Sequence, residues 1–87
     1  MNKIGIVVCN YNKAEYVVNC IESIFVSNVN NFDVYVVDNA STDDSVSILK
    51  KRFGNRIQLL VNEKNLGGSG GFNTGLREAL KKDYQYI

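Results

Sequence analysis

Proline and histidine are absent from these 87 residues, and cysteine occurs twice. No proline and no low-complexity tract argue against a linker. With no histidine, the two cysteines have no partner for a His/Cys metal set, and two cysteines make no disulfide framework. Cys9 and Cys20 therefore read as small core residues in a reducing compartment, the first ending a buried strand and the second on a helix face. Charge of one sign is also lacking: the net charge is +1, which excludes bulk electrostatic capture of nucleic acid or a membrane surface. No segment approaches the roughly 20 apolar residues that span a bilayer. The apolar N-terminal run is broken by Asn10-Tyr11-Asn12 with no small-residue cleavage site, so the sequence predicts a cytoplasmic chain without a secretory signal.

What is present is ordinary globular material, 45% hydrophobic and 22% charged, enough for one small domain. Residues 4–9 form a near-continuous apolar run, as in a strand covered on both faces. Residues 14–28 carry Val17, Cys20, Ile21, Ile24 and Phe25 at helical spacing. Residues 32–37 are rich in Val and aromatics and predict a second strand. A helix over 43–53 turns Val46, Leu49 and Phe53 inward and leaves Lys50, Lys51 and Arg52 in solvent, with Gly54-Asn55 as its C-terminal stop. Residues 57–61 predict a third strand, 62–69 a polar, Gly-rich loop, and 70–82 a third helix with Phe72, Leu76, Ala79 and Leu80 inward. Residues 84–87 begin a fourth strand.

The order βαβαβαβ predicts an α/β fold: helices on both faces of a mainly parallel sheet, a three-layer α/β/α sandwich. The last strand is cut short, so the chain reads as the N-terminal piece of a larger domain. A sheet order 3-2-1-4 would leave that short strand's edge uncovered and favour self-association.

Three clusters fall at the strand ends, where open α/β sheets bind ligands. Asn10-Tyr11-Asn12-Lys13 follows the first strand. Its ring can stack on a base, but the same residues also make an ordinary turn. Asp38-Asn39-Ala40-Ser41-Thr42-Asp43-Asp44 follows the second. Ser41 with Asp44 resembles a capping box, and Asp43 and Asp44 suit a helix N-terminus. Asp38 lies too early to cap the helix, and its carboxylate can accept a hydrogen bond from a base imide or a ribose hydroxyl. Asn62 through Gly75 forms the third cluster. Its glycines could let backbone N–H groups converge on an anion, or could simply give a helix clearance over the sheet. It is neither a Walker A loop nor, after the third strand, a dinucleotide fingerprint.

Together these clusters resemble the N-terminal half of a family 2 glycosyltransferase of GT-A fold. The carrying residues are Val7-Val8-Cys9-Asn10-Tyr11-Asn12, Val36-Val37-Asp38-Asn39-Ala40-Ser41-Thr42-Asp43, and Asn62–Gly75 with Asn65, Gly67, Asn73 and Gly75. The third cluster most resembles the branch that transfers rhamnose or galactofuranose. The resemblance implies that Asn10, Tyr11 and Asn12 line a nucleotide pocket and that Asp38 bonds a pyrimidine base. It places Asn39, Asn65, Gly67 and Asn73 near base, ribose or diphosphate. Many relatives carry an Arg where Phe72 stands, so no charged contact is expected there. It also implies a parent enzyme, inverting and using a UDP- or dTDP-linked donor to build cell-surface polysaccharide on a glycan or lipid-linked acceptor. Its divalent metal, Mg or Mn, its catalytic base and its acceptor site would lie beyond Ile87, so the chain alone would be inactive.

The competing reading is a non-catalytic nucleotide-binding or interaction module. A phosphoacceptor receiver would want acidic residues where Asn10 and Asn12 stand. A nucleotidyltransferase would want a Gly-rich basic loop after the first strand.

Overall fold

The computed structural model describes residues 3–27, 31–82 and 84. Three strands, β1 (Ile4–Asn10), β2 (Phe32–Asp38) and β3 (Gln58–Val61), alternate with helices α1 (Ala14–Phe25), α2 (Ser45–Phe53) and α3 (Gly67–Ala79). The strands form one parallel sheet in the order β1-β2-β3, with Asn10 opposite Asp38 and Asp38 opposite Val61. All three therefore end at the same rim, the geometry that parallel pairing with helical crossovers imposes.

β2 is the middle strand, and its residues from Val34 to Asp38 are buried. Its alternation divides the molecule into layers. Val34 and Val36 face α1 and α2 in a core with Val17, Val18, Ile21, Leu49, Phe53 and Ile57. Arg56 lies over the Phe25 and Phe53 rings at 5.0 and 5.4 Å and closes the end of that core. On the other face Val7 and Val37 meet α3 at Gly75. This is the α/β/α layering expected from the βα alternation.

Several boundaries and facings differ from the sequence reading. α1 ends at Phe25, capped by Val26, and α2 begins at Ser45 with no side-chain cap. The capping box is not formed, because the Ser41 hydroxyl turns back to Asp38. α3 starts at Gly67, three residues early, and its buried face is Gly71, Gly75 and Ala79. Phe72 and Leu80, expected inside, are exposed. Small residues win because the helix lies so close to the sheet: a Cβ on Gly75 would strike Val7 Cγ1 and stand 2.9 Å from Val37 Cγ2.

The cysteines also contradict expectation, since Cys9 and Cys20 are both exposed. Cys9 lies near the end of β1, where it lines an open cleft, and Cys20 lines a groove beside Ile6 and Ile24. The expected fourth strand lies outside the described residues except for Tyr84, which is not in a strand. Its ring packs over Gly5, and its hydroxyl donates to Asp33 at 2.7 Å and meets the Tyr35 hydroxyl at 2.7 Å.

Candidate nucleotide cleft at the strand ends

The rim after β1 and β2 is organised by a buried carboxylate. Asp38 is fully buried. Its Oδ1 accepts from Asn10 Nδ2 at 2.8 Å and from Ser41 Oγ at 2.6 Å, and its Oδ2 accepts the Ser41 N–H at 2.9 Å. Three donors satisfy oxygens that burial would otherwise leave without partners. The network spreads outward from there. Ser41 Oγ accepts the Asn12 N–H at 3.0 Å, and Asn10 Oδ1 accepts the Lys13 N–H at 3.1 Å. Asn12 Oδ1 accepts the Thr42 N–H at 2.8 Å, while its Nδ2 donates to Thr42 Oγ1 at 3.0 Å. Both loops need a left-handed residue, Asn12 at φ 54° and Ala40 at φ 63°. Asn tolerates that region, whereas Ala pays for it, so the carboxylate network must hold the Ala40 turn.

The third loop is joined to this rim by Asn39, which is 5% exposed. Its Oδ1 accepts the Leu66 N–H at 3.0 Å and Asn62 Nδ2 at 3.1 Å, and its Nδ2 donates to the Gly67 carbonyl at 2.9 Å. Its own N–H donates to the Asn10 carbonyl at 2.8 Å. Asn65 Oδ1 accepts the Gly67 N–H at 2.7 Å, turning the chain into α3.

Between these loops lies a cleft of about 320 Å³. Cys9, Asn10 and Tyr11 form one wall, Asn39 lies between, and Asn65, Gly67 and Gly68 form the other. No Asp, Glu, Lys or Arg lines this cleft, and partial burial pushes the Cys9 thiol up from its ordinary value. Tyr11 is 42% exposed, leaving its ring available for stacking. The cleft offers amide donors and acceptors, backbone groups and an aromatic ring. That is the chemistry for an uncharged heterocycle and its sugar.

Five of the eight residues expected at a site, Asn10, Tyr11, Asn39, Asn65 and Gly67, meet in this cleft. Three do not. Asp38 lies behind it, with its carboxylate spent on the loops. Asn12 lines a neighbouring groove with Glu15 and Tyr16, and Asn73 is exposed on α3. The sequence reading missed Cys9 and Gly68 as lining residues and took Ser41 for a helix cap. The signal for Cys9 was its place beside the last residue of a parallel strand, where side chains face the crevice. A larger apolar groove of about 620 Å³ runs between Ile6 and the Tyr16–Ile24 flank of α1, away from the convergent polar groups. Among the described residues no three His, Cys, Asp or Glu side chains cluster to hold a metal, and no helix is long and apolar enough to cross a membrane.

Comparison with known proteins agrees with this geometry. The chain is 31% identical over 75 residues to a chondroitin synthase of Escherichia coli, covering 85% of this chain and 11% of that protein. It is 32% identical over 90 residues to a teichoic acid poly(glycerol phosphate) polymerase of Staphylococcus epidermidis, covering 100% of this chain and 12% of that protein. In structure it resembles the mannosyltransferase PcManGT of Pyrobaculum calidifontis, solved with GDP-Man and Mn²⁺. The TM-score is 0.76 at 25% identity, over 88% of this chain and 24% of that one. The chain thus spans a small fraction of the proteins it matches. With the parallel sheet, the rim clusters and a family profile matching residues 5–87 all in agreement, the chain belongs to glycosyl transferase family 2.

Proposed function

We propose that this chain forms the nucleoside-binding half of a donor site in an inverting glycosyltransferase that uses a UDP- or dTDP-linked sugar. The whole protein would transfer that sugar to a glycan or lipid-linked acceptor at the cytoplasmic face of the membrane, in cell-surface polysaccharide synthesis. The observation that carries this reading is the convergence of Asn10, Tyr11, Asn39, Asn65 and Gly67 in one uncharged cleft at the strand ends.

The chain's own residues account for binding and orientation. Tyr11 supplies a stacking face for the base, and Asn65 with the backbone groups of the third loop supplies directional hydrogen bonds, while Asn10 and Asn39, whose amides are taken up by the loops, shape the walls. Asp38 acts from behind, holding Asn10 and the 40–42 turn so that the wall is formed before ligand arrives. A divalent metal would neutralise the diphosphate leaving group in the whole enzyme. Among the described residues no three His, Cys, Asp or Glu side chains cluster to hold it, and this reading assigns its ligands, the catalytic base and the acceptor site to other parts of the parent. The isolated chain is then a binding half-site without transfer activity, and robust sugar transfer by it would contradict this division.

The test is titration of the 87-residue chain with UDP, dTDP, GDP, ADP and uridine, read by amide NMR with and without Mn²⁺. Metal-independent shifts at Tyr11, Asn39 and residues 65–68, with uridine nearly as effective as UDP, are expected. A nucleotide set that leaves those amides unmoved would sink the reading. The mannosyltransferase neighbour was solved with GDP-Man, which makes GDP the competing ligand in that series.

A further inference from the structure

We propose that Asn39 is a positioning residue that seats the third loop on the end of β2 and thereby sets the width of the cleft. The inference rests on the donor-site reading for its link to affinity, but the seating itself does not depend on any ligand. Its basis is one carboxamide working on three loop groups. Oδ1 accepts both the Leu66 N–H and Asn62 Nδ2, at 3.0 and 3.1 Å, and Nδ2 donates to the Gly67 carbonyl at 2.9 Å. Leu66 N–H and Gly67 C=O are backbone groups with fixed polarity, so they also fix which end of the amide is oxygen.

Few side chains meet that demand. Aspartate keeps the acceptors but sets an oxygen against the Gly67 carbonyl, and alanine leaves the Leu66 N–H and the Asn62 amide without their partner. The neighbouring helix is built around the same group. A Cβ on Gly71 would stand 2.9 Å from Asn39 Nδ2, so α3 carries glycine where the amide occupies the space. The first turn of α3, with Gly67 and Gly68 lining the cleft, is thus anchored through a side chain that is 5% exposed. The backbone N–H of Asn39 ties the same residue to Asn10 at 2.8 Å, so one residue spaces both walls.

The experiment compares wild type with Asn39→Ala, Asn39→Asp and Asn62→Ala. Its first readout is amide hydrogen exchange of Leu66 in the ligand-free chain, taken as a ratio to the core amide of Val36 so that a general loss of stability cancels. Asn39→Ala is expected to raise that ratio by roughly tenfold, and Asn39→Asp, which keeps the Leu66 acceptor but repels the Gly67 carbonyl, and Asn62→Ala by smaller factors. Asn62 does not line the cleft, so weaker uridine binding by Asn62→Ala, in step with its exchange ratio, marks an effect carried by the loop. If Asn39→Ala does not fold, Asn39→Asp and Asn62→Ala decide. A ratio unmoved in the folded Asn39 variants overturns the seating. A loosened loop with wild-type uridine affinity overturns its control of the cleft. Failure of wild type to bind any nucleoside instead counts against the donor-site reading, and the exchange ratio still rules on Asn39.

Discussion

Asp38 and Tyr11 lie within one hydrogen-bonded rim yet do opposite work. Asp38 is wholly buried and accepts three hydrogen bonds, so Asp38→Ala strands Asn10 Nδ2, the Ser41 N–H and the Ser41 hydroxyl. It is expected to cost about 3 kcal/mol, seen as a lower urea midpoint at unchanged m-value. Tyr11, at 42% exposure, supports little of the fold. Tyr11→Ala should leave the urea midpoint nearly unmoved and weaken uridine binding by about tenfold, the scale of one lost base stack. A stability loss in Tyr11→Ala as large as in Asp38→Ala would contradict this division. The sequence marks both residues, because polar groups ending apolar strands are legible. It does not tell which faces the ligand. That depends on Ser41, which looks like a helix cap in the sequence but is needed by the carboxylate instead.

At the scale of elements, α3 shows what hydrophobic periodicity misses. Large apolar residues point to a face with Phe72 and Leu80, whereas the buried face is Gly71, Gly75 and Ala79. The helix approaches Val7 and Val37 so closely that side-chain volume is excluded, and glycine spacing carries the signal instead. Two glycine substitutions should therefore differ in sign. Gly75→Ala gains about 1 kcal/mol of helix propensity but overpacks the sheet, with a net loss of about 1–2 kcal/mol. Gly68→Ala meets nothing within 4 Å and should raise stability by about 0.5 kcal/mol. Urea midpoints for the pair check this, and two shifts of the same sign would show that the close approach is not what dictates glycine. The strands and α1 are better read, because β-branched runs and a broad apolar stripe serve the same core that the sequence pattern describes.

For the whole molecule, the far end of the sheet holds an acid-sensitive tie. Tyr84 donates to Asp33, and Lys3 lies 3.3 Å from the same carboxylate oxygen. The Tyr84 hydrogen bond foremost, then Lys3, holds the Asp33 carboxyl below its usual range, against some burial. A carboxyl lowered on folding contributes stability that is present above its unfolded value, about 3.9, and is lost as pH falls through the folded value. The urea midpoint should therefore fall on acidification below about pH 4, and Asp33→Asn should flatten part of that fall. An acid limb identical in Asp33→Asn would remove Asp33 as its source. Burial first, then Tyr35 and Asp33, push the Tyr84 phenol well above its ordinary range, so this tie persists through neutral and mildly alkaline pH. The outer edge of β1 pairs with no strand among the described residues. The sequence places a short fourth strand beside it, and we expect the chain to self-associate through that strand's free edge, visible as concentration-dependent sedimentation; a monomer at every concentration would refute it.

The sequence by itself determined the alternation of strands and helices, the layers that follow from it, and the three polar clusters at the strand ends. Those features rest on local pattern and on the handedness of parallel crossovers, which need no distant contact to be read. Only the tertiary structure decided that five expected residues share one cleft, that Asp38 stands behind it, and that Asn39 spans its two walls. The Asn10–Asp38 bond and the bonds of the Asn39 side chain to the third loop join residues 23 to 28 positions apart, and nothing in a local pattern specifies such pairings.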